Sequence, residues 1–108
     1  MNDPEAMNSV GLMLESGFDE KLSDPENALE WYKKAHKLGY SEATLNIAIY
    51  YINGTHVEKD AGLAKSLFKI AFKAGNEKAA EYMMHYDLIK SKKELEAEIL
   101  IADDEINS

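Results

Sequence analysis

Small, bulky and basic positions return along this chain at a fixed interval. Ala28, Trp31, Tyr32, Lys33, Ala35, Lys37 and Gly39 stand opposite Ala64, Leu67, Phe68, Lys69, Ala71, Lys73 and Gly75, each pair 36 positions apart. A period between about 20 and 50 residues marks a stacked-repeat architecture, in which no unit buries its apolar face alone. Helix signals fall in step with it. Asp3-Pro4 reads as an N-cap followed by proline at the first helical position, where its missing N–H is harmless. A helix is predicted from Pro4 to Ser16, with Ala6, Met7, Val10, Gly11, Met13 and Leu14 at helical spacing and Gly17 as terminator. After a loop over residues 18–23, Asp24-Pro25 repeats the signal. The helix it opens should reach Leu38, bury Ala28, Trp31 or Tyr32, Ala35 and Leu38, and stop at Gly39.

The third helix, Ser41 to Asn53, is apolar almost all round and should be the most buried. Asp60 caps a fourth, to about Ala74, and Asn76 a fifth, to about Ile89 or Lys90. Ser91 and Glu94 fit a capping box opening a sixth, from about Lys92 to Asp104. Its Leu95, Ile99, Leu100 and Ala102 oppose Glu94, Glu96, Glu98 and Asp103, as in a lid. The helices pair into three units, about 3–39, 41–75 and 76–104 of a single domain spanning 1–108. Ala6, Gly11 and Gly17 align with Ala43, Ala48 and Gly54, and Ala43 and Ala48 with Ala79 and Met84. The third unit lacks the Asp cap and lysine pattern in its second helix, as expected of a terminal repeat.

Charge adds direction to this scaffold. Residues 1–30 carry eight acids against Lys21, residues 31–93 eleven lysines against six acids, and residues 94–108 six acids alone. All basic residues are lysine, so no guanidinium fork is available for phosphate or base edges, and nucleic acid is a poor partner for a chain of net charge −8. A basic protein partner suits it better. The absence of cysteine excludes disulfides, thiolate nucleophiles and cysteine metal sites. No apolar run approaches the roughly 20 residues of a membrane span and no export signal opens the chain, so a cytoplasmic protein without membrane contact is expected.

The positions Ala43, Ile47, Ala48, Tyr51, Gly54, Asp60, Ala64, Leu67, Phe68, Ala71 and Gly75 resemble the Sel1-like repeat, a relative of the tetratricopeptide repeat. So do Ala6, Val10, Gly11, Leu14, Gly17, Asp24, Ala28, Trp31, Tyr32, Ala35 and Gly39. Ala48 and Met84 depart from the glycine of the pattern and Leu14 from its tyrosine. In the third unit Asp87 stands at the tyrosine position, with Tyr86 one place early. The resemblance implies an all-α, right-handed α-solenoid of about three helix-turn-helix units that binds proteins, the first helix of each unit lining a concave surface. By that analogy the partner-binding positions are Glu5, Asn8, Leu12 and Glu15, then Glu42, Leu45, Ile49 and Ile52, then Lys78, Glu81, His85 and Leu88. They make an apolar centre with acidic flanks, suited to a helix or loop. The competing reading makes some of them core, or covered by the sixth helix.

Other chemistry is weak. Lys33, Lys37, Lys69 and Lys73 form a stripe near helix C-termini, where the helix dipole favours cations and solvent is the usual neighbour. His36, His56 and His85 show no ligand spacing, and no phosphate loop occurs, so neither metal nor cofactor is expected. Ser66 and Lys69 match a serine-nucleophile spacing without its accompanying motifs. The expected function is therefore a non-enzymatic interaction module, with a monomer slightly favoured. Two alternatives differ in class: an immunity-type inhibitor of a bacterial toxin, and a remote β-lactamase-like serine hydrolase.

Overall fold

A computed structural model describes residues 3–17 and 23–107, with side chains through Ala102. Among the described residues there are six helices and no strand: α1 (Pro4–Ser16), α2 (Pro25–Lys37), α3 (Ser41–Asn53), α4 (Ala61–Lys73), α5 (Lys78–His85) and α6 (Lys92–Asn107). The loop expected over residues 18–23 lies largely outside them. Three aspartates cap as their positions suggest. Asp3 accepts the Glu5 N–H at 3.0 Å, Asp24 the Asn27 N–H at 3.1 Å and Asp60 the Leu63 N–H at 3.0 Å. Before α6, Ser91 Oγ accepts the Glu94 N–H at 3.2 Å, and Glu94 reaches back to the N–H of Lys90 at 2.7 Å.

Helix ends follow one design with one irregular member. Gly39 and Gly75 take positive φ (84° and 98°), and the next N–H returns to the carbonyl five residues before it, Tyr40 to Ala35 and Asn76 to Ala71. The fifth helix closes in the same way at Asp87, φ 58°, with Leu88 N–H bonded to the Met83 carbonyl at 2.8 Å. That left-handed residue stops α5 at His85, short of the expected Ile89 or Lys90, because an aspartate can adopt the conformation that glycine supplies elsewhere.

Successive helices pack against one another from α1 to α5. The core repeats as well. Tyr32 of α2 meets Tyr50 of α3 edge to face at 5.9 Å, and Phe68 of α4 stacks on Tyr86, just past α5, at 6.4 Å. Both members of the second pair lie 36 residues after those of the first. Tyr86 is thus the structural counterpart of Tyr50, and the same offset sets Asp87, which closes α5, against Tyr51. Tyr32, not Trp31, is the buried aromatic of α2, and Leu38 is 51% exposed instead of buried.

The sixth helix lies against α4. Leu95 is fully buried, and Glu98 sits 3.2 Å from the Lys65 ammonium and 3.8 Å from that of Lys69. Lys92 pairs with Glu77 at 3.0 Å. One acid of the tail, Glu98, thus meets two lysines of the basic centre, and Lys69 of the lysine stripe lies beside α6.

Candidate partner-binding surface

The first helices α1, α3 and α5 share one face, joined by polar contacts. Asn46 Nδ2 donates to Asn8 Oδ1 at 3.0 Å, linking α3 to α1. On the other side, Lys78 Nζ and Asn76 Nδ2 both donate to Glu42 Oε1, at 3.3 and 3.0 Å, and Asn53 Nδ2 reaches the Tyr86 hydroxyl at 3.4 Å. These contacts place Glu42, Asn46 and Asn53 on one stripe of α3. Ile49 completes its i, i+4, i+7, i+11 spacing.

The sequence pointed to twelve partner-binding positions, and the structure separates them, with Lys78 exposed and paired with Glu42. Leu45 and Ile52 are 2% and 7% exposed and belong to the core, since they sit one position off the stripe and turn into the neighbouring helices. Asn8 is buried, with its oxygen satisfied by Asn46. Leu88 lies beyond the end of α5 and packs partly against the core. The exposed carboxylate of Glu15 accepts the Tyr32 hydroxyl at 2.5 Å and so is directed toward α2. Glu5, Glu81 and His85 are exposed, Leu12 is 47% exposed, and Glu42 and Ile49 are half-buried. Sequence reasoning missed Asn46, Asn53 and Tyr82. Two asparagines seven apart in an otherwise apolar helix were the available signal.

Electrostatics on this face are lopsided. The Tyr40 hydroxyl is pushed above its ordinary value, first by desolvation, then by the carboxylates of Glu5, Glu42 and Asp3, with Lys78 opposing. Nearby, Lys78, Glu81, Tyr82 and His85 line an open cleft of about 410 Å³.

Candidate catalytic chemistry fares poorly. Ser66 is exposed, and the Lys69 ammonium lies 3.8 Å from the Glu98 carboxylate on another helix. Among the described residues no group of three or more side chains is arranged to hold a metal ion, and no helix is long and apolar enough to cross a membrane.

Paired helices, a 36-residue core period and glycine-closed second helices define a repeat solenoid of the helix-turn-helix type. The Sel1 repeat family model matches residues 4–40 and again 41–76, and the chain belongs to that family. A crystal structure of a Sel1 repeat protein from Oxalobacter formigenes is similar, at 32% identity and a TM-score of 0.72 over 85% of this chain. The present chain spans 38% of that protein's length. No curated protein sequence matches it. Sel1 repeats generally mediate protein–protein interactions and are typically non-enzymatic.

Proposed function

We propose that the chain binds a basic protein partner across the face formed by α1, α3 and α5. The observation that carries this reading is that α1 and α3, which present Glu5 and Glu42, also present Leu12 and Ile49. Apolar side chains with an acidic margin suit a segment that offers aliphatic residues to the middle and lysine or arginine to the edge. The acids set orientation and association rate, and the apolar centre sets the lifetime of the complex.

A salt titration of the complex between the chain and its captured partner tests this. Association should slow as ionic strength rises from about 0.05 to 0.5 M, because rim charges act over a Debye length of about 10 Å at 0.1 M. Replacing Glu5 and Glu42 together by glutamine should remove most of that dependence. An association rate indifferent to salt and to both substitutions would refute the basic-partner reading.

A further inference from the structure

The first two units pair their own helices, α1 along α2 and α3 along α4, and the caps of the second helices, Asp24 and Asp60, stand 36 residues apart. The sixth helix keeps neither rule. Its cap, Ser91, follows Asp60 by 31 residues, and among the described residues α6 runs at close backbone range along no other helix. It reaches α4 through side chains instead. Leu95 is fully buried in the core, and Ile99, four residues on and on the same face, is partly buried against it. Glu98, on that face too, sets Oε1 3.2 Å from the Lys65 ammonium. Its buried Oε2 stands 3.8 Å from Lys69 and has no hydrogen bond among the described residues. An open cleft of about 410 Å³ lies between Phe72 and Lys73 of α4 and Glu96, Ile99 and Leu100 of α6. Leu100 and Ile101 are 64 and 60% exposed.

We infer that the side of α4 bearing Lys65, Lys69 and Phe72 is a second docking surface, that its occupant in a complex is an acidic amphipathic helix of a partner protein, and that α6 is the resident helix which that partner displaces. The resident itself states what an occupant must present: an aliphatic residue, a carboxylate three positions on and a second aliphatic four positions on, as in Leu95, Glu98 and Ile99. Charge selects the same helix. Lys65, Lys69 and Lys73 follow at intervals of four along one side of α4, a row that attracts carboxylates and repels the basic segment proposed for α1, α3 and α5. The two surfaces therefore take partners of opposite charge. Displacement is open to a competitor because the seat of α6 is imperfect. A carboxylate at the usual distance of roughly 2.7–2.9 Å from Lys69 would make the hydrogen bond that Glu98 Oε2 lacks. A bulkier aliphatic side chain would fill the cleft beside Phe72.

A labelled synthetic peptide with the sequence of residues 90–108 probes the surface, its binding to the full chain followed by fluorescence anisotropy. The Leu95→Ala chain, whose own α6 is loosened, should bind the peptide at least about tenfold more tightly than wild type, in which α6 holds the site. Adding Lys65→Glu and Lys69→Glu to that chain should weaken binding at least about tenfold, and so should Leu95→Ala in the peptide. A second peptide that keeps only Leu95, Glu98 and Ile99 on a background of alanine and glutamine should bind within about tenfold of the first. If circular dichroism shows the Leu95→Ala chain to be unfolded, Ser91→Ala with Glu94→Ala, which removes the α6 cap, takes its place. Equal binding by wild type and the loosened chain, binding indifferent to the two lysines, or no binding of either peptide overturns the proposal. A wild-type dimer in sedimentation that the peptide dissociates overturns it in favour of α6 exchanged between two copies. None of these results bears on the salt-dependent face of α1, α3 and α5.

Discussion

The ring of Tyr32 occupies the space a side chain at Gly11 would need: a Cβ there would lie 2.5 Å from its Cε1 and 2.7 Å from its Cδ1. Glycine in the middle of a helix is unfavourable by roughly 0.5–1 kcal/mol relative to alanine, yet here it lets α1 approach a fully buried aromatic. At the corresponding place in the second unit Ala48 accompanies Phe68, both fully buried. Gly11→Ala should therefore destabilise the chain by about 1–3 kcal/mol despite its better helix propensity. Urea unfolding measures this, and a stabilised variant would contradict the close approach.

Two buried tyrosines give stability an alkaline limit. Burial pushes Tyr50 up to about 12, and burial followed by the hydrogen bond to Glu15 pushes Tyr32 higher still. The folded chain therefore keeps phenol protons that the unfolded chain, with tyrosines near 10, releases. Stability from these groups is fully present below pH 10 and falls above it, by about 1.4 kcal/mol per pH unit for each tyrosine. Tyr32→Phe should lower stability at neutral pH by about 1 kcal/mol, the usual net value of a hydrogen bond, and flatten the decline between pH 10 and 12. An identical slope in both proteins would show that Tyr32 does not titrate as its surroundings require.

Docking of α6 depends on Leu95 more than on its ion pairs. Leu95→Ala should cost about 2–5 kcal/mol of local stability and raise hydrogen exchange across residues 92–102, while residues 41–53 stay protected. Glu98→Gln should act more weakly, within about 1 kcal/mol, because its lysine partners are about a third exposed. If Glu98→Gln released α6 and Leu95→Ala did not, charge and not burial would hold the helix.

Much of this was legible in the residues. The 36-residue period, the three aspartate caps and the glycine stops are local signals, written where they act, and they define the repeat and its helix pairs. The binding surface was less legible, for a geometric reason. The third helix is apolar on nearly every side, so an offset of one residue, about 100° of rotation, exchanges core for surface. Leu45 and Ile52 fell on the wrong side of that choice, while Asn46 and Asn53 marked the right one. The early stop of α5 had no glycine to announce it, and Asp87 carries that turn instead.

The same distinction separates two substitutions that look alike on paper. Leu45→Asp places a carboxylate in a site 2% exposed and should unfold the chain, by more than about 3 kcal/mol. Ile49→Asp, on the half-open stripe, should leave a cooperative melt within a few degrees of wild type. Equal losses in the two variants would mean that Ile49 is core as well.

The most direct measurement compares partner binding by four forms of the chain: wild type, Leu12→Asp, Ile49→Asp and, on the outer side of α2, Lys37→Glu. Surface plasmon resonance with the captured partner should show at least about tenfold weaker binding for the first two variants and no change for Lys37→Glu. Undiminished binding by folded Leu12→Asp and Ile49→Asp, with loss in Lys37→Glu, would place the partner on the outer helices and contradict the account.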